Sequence, residues 1–79
     1  MKTRIHVTLT LILKKYAPDK ENAFYMEIDF PGVVLDVINN LEIPPEVPLL
    51  ITLNGQQAFL DTSLHPGDNL KLFPMLAGG

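Results

Sequence analysis

The sequence predicts one small α+β domain in which a single helix covers one face of a β-sheet. Most of the chain alternates apolar and polar residues, with the period of two that is typical of half-buried strands. One segment, after Pro31 and Gly32, instead places apolar residues at the spacing of a helix. Because this helix is the one element available to cover a sheet face, the sequence predicts a two-layer domain.

Composition limits the classes of function. The chain has 79 residues, 47% of them hydrophobic and 19% charged, which suits one packed domain. It has no cysteine, which excludes disulfides, thiol catalysis and cysteine-ligated metal. The net charge of −3 disfavours nucleic acid, whose phosphates are bound mainly by Lys and Arg. The apolar run at residues 7–13 is far shorter than the ~20 residues of a membrane span. We therefore expect a cytoplasmic protein that binds neither nucleic acid nor membranes.

The first part of the chain is predicted to form an antiparallel hairpin. Residues 4–14 and residues 24–30 both alternate, and polar turn residues lie between them at 18–22. The side chains predicted to face the core are Ile5, Val7, Leu9, Leu11 and Leu13 in the first strand and Phe24, Met26, Ile28 and Phe30 in the second.

An amphipathic helix of about three turns is predicted next. Val34, Ile38 and Leu41 lie at positions i, i+4 and i+7. The segment is rich in β-branched residues and short, so its packing on the sheet must stabilise it. Pro44 and Pro45 are predicted to end it, because proline lacks the amide donor and disfavours helix in the preceding residue.

The second half of the chain is predicted to contain three strands. Residues 49–53 and residues 56–60 are expected to pair through a type I′ turn at Asn54 and Gly55, both of which tolerate positive φ. A tight turn at residues 65–68 then precedes the last strand, at residues 69–73. Its alternation directs Leu70 and Leu72 inward and Phe73 outward.

Five strands and one helix in this order match the β-grasp fold of ubiquitin-like proteins. The chain also resembles the MoaD/ThiS group of ubiquitin-like sulfur carriers, and within it the small subunit of molybdopterin synthase most closely. The resemblance rests on five segments that are spread over nearly the whole chain. They are Leu13-Lys14-Lys15-Tyr16, Leu41-Glu42-Ile43-Pro44, Leu53-Asn54-Gly55, Leu64-His65-Pro66-Gly67-Asp68 and Phe73-Pro74-Met75-Leu76-Ala77-Gly78-Gly79.

The resemblance implies a single β-grasp domain at residues 1–75 and a flexible diglycine tail at residues 76–79. A ubiquitin-activating-type enzyme would use ATP and Mg²⁺ to adenylate the Gly79 carboxylate. Sulfur from a cysteine desulfurase or a rhodanese would then give a thiocarboxylate, which the large subunit of molybdopterin synthase would accept. The chain would bind no cofactor or metal itself and would not be catalytic alone.

Physical reasons support these roles of the tail. An α-carboxyl group, with a reference pKa of ~3.3–3.7, is ionised at neutral pH and is a poor electrophile, so it requires activation. Gly78 and Gly79 lack Cβ atoms and suit a narrow channel. Residues 75–79 would span roughly 17 Å when extended, and Pro74 would restrict the chain where it leaves the sheet.

A partner-binding surface is expected around the tail. The residues assigned to it are Phe73, Pro74, Met75, Leu76, Ala77 and Ile12. An aromatic residue at the root of the tail could anchor a partner, whereas the alternative for Phe73 is packing under the tail or against Ile12. By alignment, Thr10 and Gln57 stand where the molybdopterin synthase subunit has hydrophobic residues, so the surface is more polar.

Other functions remain as alternatives. The sulfur could be delivered to thiamine thiazole or tungsten cofactor synthesis, or the chain could be a ubiquitin-like protein modifier or a binding module. Asp61, Ser63 and His65 could suggest a hydrolase, but the sequence has neither an oxyanion loop nor a nucleophile elbow. His6 and His65 lack metal-ligand spacing, so no metal site is expected.

Overall fold

A five-stranded sheet, a two-stranded sheet and one α-helix make up the computed structural model, which describes residues 1–75. The strands are β1 (Lys2–Leu9), β2 (Ala23–Asp29), β3 (Gly32–Val33), β4 (Leu49–Leu53), β5 (Gln56–Gln57), β6 (Ser63–Leu64) and β7 (Asn69–Pro74). The helix α1 spans Val34–Asn40, and two 3-10 helices span Leu11–Tyr16 and Pro18–Lys20. The predicted α+β class is confirmed.

The five-stranded sheet is mixed, with the order β2-β1-β7-β4-β5. β1 pairs antiparallel with β2 and parallel with β7, and β4 pairs antiparallel with both β7 and β5. The predicted hairpin of the first two strands is therefore confirmed. β7 lies in the middle of the sheet, although it is the last strand in sequence.

One face of this sheet packs on α1 to form the core. Predicted inward residues of β1 and β7 are fully buried, as is Val34 of the helix. The β-branched residues suit this position because the packed face, rather than helix propensity, stabilises a short helix. The core side chains are Ile5, Val7, Leu9, Leu13, Ala17, Ile28, Val34, Val37, Ile38, Ile43, Ile51, Ala58, Leu64, Leu70 and Leu72.

The helix is shorter than predicted: its seven residues make about two turns. It ends before the two prolines, because Glu42 adopts a left-handed conformation with φ of 59°. The Glu42 N–H donates to the Asn39 carbonyl, and the Ile43 N–H donates to the Ile38 carbonyl. These two bonds form a Schellman cap. The prediction that Pro44 and Pro45 end the helix was wrong.

The helix N-terminus determines the length of β5. The N–H groups of Val34 and Leu35 donate to the carbonyls of Thr62 and Leu60, and the Val33 N–H donates to Asp36 Oδ2 at 2.8 Å. Because the chain after Ala58 turns to cap the helix, it cannot continue along β4. The predicted return strand at residues 56–60 is therefore limited to two residues.

The first strand is also shorter than predicted. β1 ends at Leu9, and Leu11 turns the chain into a 3-10 helix with φ of 53°. β2 begins opposite Thr8, so a longer β1 would lack a partner on that side. As a result, Leu13 is buried as predicted, whereas Leu11 is 73% exposed. Phe30, which was also predicted to face inward, lies beyond the end of β2 and is exposed.

The small sheet of β3 and β6 was not predicted. It pairs Gly32 with Leu64 and Val33 with Ser63, just before the helix. Gly32 is buried, and a Cβ atom there would lie 2.7 Å from Ile28 Cδ1 and 2.8 Å from the Asp29 carbonyl oxygen. Glycine is therefore required for this close approach between the end of β2 and the helix.

Candidate functional site at the root of the C-terminal tail

Residues 72–75, which form the root of the tail, are hydrogen-bonded on both sides. The Thr10 N–H and the Thr10 hydroxyl both donate to the Leu72 carbonyl, at 3.2 Å and 3.1 Å. On the other side, the Met75 N–H donates to the Pro48 carbonyl at 3.0 Å. The position from which the chain continues toward Gly79 is therefore fixed by the sheet. The sequence analysis missed the roles of Thr10 and Pro48, because neither residue type signals such a bond.

Phe73 lies on the sheet face opposite to the core, as predicted. It pairs with Leu50 across β4, and both residues alternate with the buried residues Leu72 and Ile51. Phe73 is half-buried, but its side chain does not pack against the core. Phe73 and Leu50 therefore form a cross-strand apolar pair beside the root of the tail.

The other predicted tail residues divide into two groups. Pro74 is half-buried, ends β7 and pairs with Leu49, and the Met75 side chain is exposed. Because its backbone is bonded to Pro48, Met75 belongs to the domain rather than to an extended tail. The predictions for Leu76, Ala77, Gly78 and Gly79 concern positions outside the described residues.

Ile12 is near β7 but not on a strand, so its predicted placement was wrong. It lies in the Leu11–Tyr16 3-10 helix, which contacts β7 and is anchored by the buried Leu13. Ile12 is 65% exposed and its neighbour Leu11 is more exposed still. This exposure is compatible with the predicted partner contact of Ile12. The exposure of Leu11 was not predicted, because its position continues the alternation of the strand.

Charge differs between the two sides of the tail root. Lys14 and Lys15 lie in the last turn of the Leu11–Tyr16 helix and are exposed. In contrast, the chain has no lysine or arginine from residue 21 to residue 70. The 3-10 helix therefore carries positive charge, whereas the charged side chains of residues 21–70 are all acidic apart from the histidine.

A second group of polar residues occupies the outer face of β1 and β2. The Arg4 guanidinium lies 4.5 Å from the Tyr25 ring centroid, and the His6 ring packs edge-on against Tyr25. Lys2 Nζ donates to Asp29 Oδ1 at 2.7 Å. This hydrogen bond, together with the opposite charge, lowers the pKa of Asp29 and raises the pKa of Lys2. Both side chains are exposed, so this pair contributes little to stability.

Two residues that could have suggested a hydrolase, Ser63 and His65, take part in backbone pairing and in a turn. Ser63 pairs with Val33 in the small sheet. The His65 N–H donates to Asp68 Oδ2, and the Asp68 N–H returns a bond to the His65 carbonyl. In residues 1–75, no three His, Asp or Glu side chains are grouped to hold a metal ion. No helix in the same residues is long and apolar enough to cross a membrane.

The sheet order, the central last strand and the single helix on one face define a ubiquitin-like β-grasp domain. Comparison with family models and with curated proteins gives no match for this chain.

Solved structures do match. The HVO 2177 protein of Haloferax volcanii superimposes with a TM-score of 0.81 at 20% identity, over 99% of this chain and 88% of that one. SAMP1 of Haloferax volcanii gives a TM-score of 0.75 at 20% identity, over 96% and 99%. A chain from the complex of subunits 1 and 2 of the molybdopterin-converting factor of Helicobacter pylori gives 0.62 at 23% identity, over 98% and 100%. The resemblance to the MoaD/ThiS group is thus confirmed at the level of the fold.

Proposed function

We propose that this chain is a ubiquitin-like sulfur carrier whose reactive group is the carboxyl group of Gly79. The observation that supports this proposal is the double anchoring of the end of β7. Thr10 holds Leu72 from one side and Pro48 holds Met75 from the other, so the chain toward Gly78 and Gly79 starts from a rigid point. A rigid start favours delivery of a short chain end into the active site of another protein.

The reach of such a chain end is short. Because Met75 is bonded to the sheet, the four residues beyond it could span at most ~14 Å when fully extended. The sequence estimate of ~17 Å counted Met75 as free. The partner must therefore contact the domain itself, and Phe73, Leu50 and Ile12 are among the apolar residues beside the root that such a contact would use.

The proposed chemistry has three steps on the partners' surfaces, and the last one leaves a disulfide between the thiol and the sulfur donor. The Gly79 carboxylate attacks the α-phosphorus of Mg-ATP, which gives an acyl-adenylate and pyrophosphate. The terminal sulfur of a persulfide then attacks the acyl carbon and expels AMP, and a thiol cleaves the resulting acyl disulfide to release the thiocarboxylate. The domain's part is to bind the partners and to position the carboxyl group.

The proposed destination of the sulfur is molybdopterin. The shared fold with the molybdopterin-converting factor complex of Helicobacter pylori supports this choice. In such a complex the large subunit would be the sulfur acceptor, and a cysteine desulfurase or a rhodanese would be the sulfur donor.

Mass spectrometry tests the proposed chemistry directly. The full chain is incubated with the cognate ubiquitin-activating-type enzyme, Mg-ATP and a persulfide donor. We expect one oxygen of Gly79 to be exchanged for sulfur, and we expect Gly78→Ala to slow this exchange because a Cβ atom narrows the fit in a channel. Absence of exchange, under conditions that charge a known carrier, would contradict the proposal.

The anchoring role of Phe73 has a matched control. Phe73→Ser should slow charging about tenfold or more, because truncation of an aromatic anchor removes much of the binding energy of an interface. Tyr25→Ser removes another aromatic residue from the same sheet face, on the edge strand β2. It should leave the charging rate unchanged. Equal rates for the two variants would remove Phe73 from the interface.

Protein modification is the second candidate function, and the shared fold with SAMP1, the small archaeal modifier protein 1 of Haloferax volcanii, favours it. A modifier would also need an activated Gly79, but the acyl group would pass to a lysine amine rather than to sulfur. Lysine-linked adducts of this chain in cells, recovered as peptides that carry Gly78 and Gly79 on a lysine, would support this function. Charging with sulfur in the absence of such adducts would support the carrier.

A further inference from the structure

Five exposed apolar residues line one groove between α1, the start of β4 and the root of the tail. The groove encloses about 300 Å³. Its exposed members are Leu35, Leu50, Phe59, Leu60 and Met75. They are half of the ten large hydrophobic residues that the described chain exposes. This concentration in one place indicates a binding surface rather than scattered exposure.

At one wall of the groove, β4 also has backbone groups that are not bonded to β5. Along β4, residues bonded to β7 alternate with residues directed to the β5 side. The Ala58 N–H donates to the Ile51 carbonyl on that side. At the next position, Leu49, no residue among 1–75 is paired on that side, because the Leu60 carbonyl accepts from Leu35 of the helix. The N–H and carbonyl of Leu49 are therefore available to an added strand.

The charge around the groove is negative. Three of its lining residues, Leu35, Pro45 and Leu60, are each followed in sequence by an acid, namely Asp36, Glu46 and Asp61. These three acids are exposed, and none of the residues that line the groove is a lysine or an arginine. An occupant therefore meets an apolar floor with exposed carboxylates beside it, which form an acidic rim.

We propose that this groove binds an extended segment of a partner protein, in which apolar side chains are flanked by lysine or arginine. The apolar side chains fill the groove, the basic residues face the acidic rim, and the segment's backbone pairs with Leu49. A small ligand is disfavoured, because the volume is at the lower limit of the ~300–1,000 Å³ of such sites. A second copy of this chain is disfavoured because its own groove carries the same negative charge.

Titration with synthetic peptides tests this binding on the full chain. The first peptide has the core Val-Ile-Val-Ile with two lysines at each end, the second has glutamates in place of the lysines, and the third repeats the first with N-methyl groups on alternate amides. With the first peptide alone, we expect saturable changes in the NMR chemical shifts of the Leu49, Phe59 and Leu60 amides. Added salt should weaken the affinity for this peptide. Equal binding of the glutamate peptide, shifts at another surface or no saturable shift at millimolar peptide would overturn the proposal.

Two pairs of variants locate the binding site by affinity, independently of the amide chemical shifts. Phe59→Ser and Asp61→Lys should each weaken the lysine peptide about tenfold, through loss of an apolar anchor and reversal of a rim charge. The matched controls are Tyr25→Ser, at a residue 63% exposed against 61% for Phe59, and Glu21→Lys. Both should bind as the unmodified chain does. Unchanged binding by Phe59→Ser and Asp61→Lys would exclude the groove as the binding site. This result would not depend on whether Gly79 can be converted to a thiocarboxylate.

Discussion

Thr3 is a buried polar side chain, at 1% exposure. It lies on the core side of β1, opposite Ile28. Its hydroxyl oxygen has no hydrogen-bond partner within the described residues. A buried hydroxyl without a partner loses its hydration and gains nothing in return, so Thr3 should lower the stability of the fold.

Thr3→Val should therefore stabilise the domain. Valine has the same branched shape without the hydroxyl, and we expect the free energy of unfolding to rise by about 1 kcal/mol. Urea denaturation of the two proteins measures the difference, and Thr3→Ser, which keeps the hydroxyl, serves as the control. A loss of stability in Thr3→Val would show that the hydroxyl has a partner in solution.

At the same scale, alternation in the sequence predicted most of the buried residues. It was correct for Ile5, Val7 and Leu9, because these positions lie within the part of β1 that is paired with β2, with β7 or with both. It was wrong for Leu11, which lies beyond the last paired residue of the strand. A periodic pattern continues in the sequence whether or not a neighbouring strand does, so it cannot locate the end of a strand.

At the scale of elements, the end of α1 depends on one strained residue. Glu42 occupies the left-handed position of a Schellman cap, where glycine is the usual residue. Ile38 and Ile43, which are joined across the cap by a backbone bond, are both buried and supply its hydrophobic contact. The sequence did not reveal this cap because glycine is absent from it, and the later prolines gave the stronger signal.

Glu42→Gly should stabilise the domain, because glycine adopts a positive φ without the cost of about 1 kcal/mol that a side chain incurs. Glycine also has more freedom in the unfolded chain, so we expect a net gain of about 0.5 kcal/mol. Thermal unfolding measures the change. Glu42→Ala, which removes the charge and keeps the Cβ atom, should give no gain, and an equal gain in both variants would assign the effect to charge.

At the scale of the whole molecule, the root of the tail belongs to a strand that is protected on both sides. β7 has neighbours on both sides, and its residues Leu70 and Leu72 are fully buried. β5 has two residues at the sheet edge and the Leu11–Tyr16 3-10 helix lies outside the sheet. Local opening should therefore begin in β5 and in the 3-10 helix rather than in β7.

Native-state hydrogen exchange followed by NMR measures this order. The amides of Leu70 and Leu72 should exchange only through global unfolding, and their opening free energies should equal that from denaturation. The amides of Gln56 and Gln57 should exchange through local opening, with lower free energies. A β7 that opens locally would contradict a rigid root for the tail.

The overall architecture was predictable because it depends on the order of elements and on their periods, which the sequence displays. The contacts that hold the candidate site were not predictable in the same way. Thr10 and Pro48 act through backbone groups and a hydroxyl, at positions more than 25 residues from the atoms they bond. The groove beside α1 likewise forms because residues 58–62 turn to cap the helix. This turn depends on contacts with residues that are distant in sequence, so a short segment does not predict it.

The central position of β7 also affects how the chain is made. β1 pairs with β7 across more than 60 residues, as in His6 with Asn69. During synthesis, β1 and β2 leave the ribosome first, and their sheet lacks its middle until residue 74 has emerged. Long-range pairing of this kind is slow to form because a long loop must close first. An incomplete chain that lacks β7 therefore has β1 and β4 without their common neighbour, so the sheet can be completed only after most of the chain has been made.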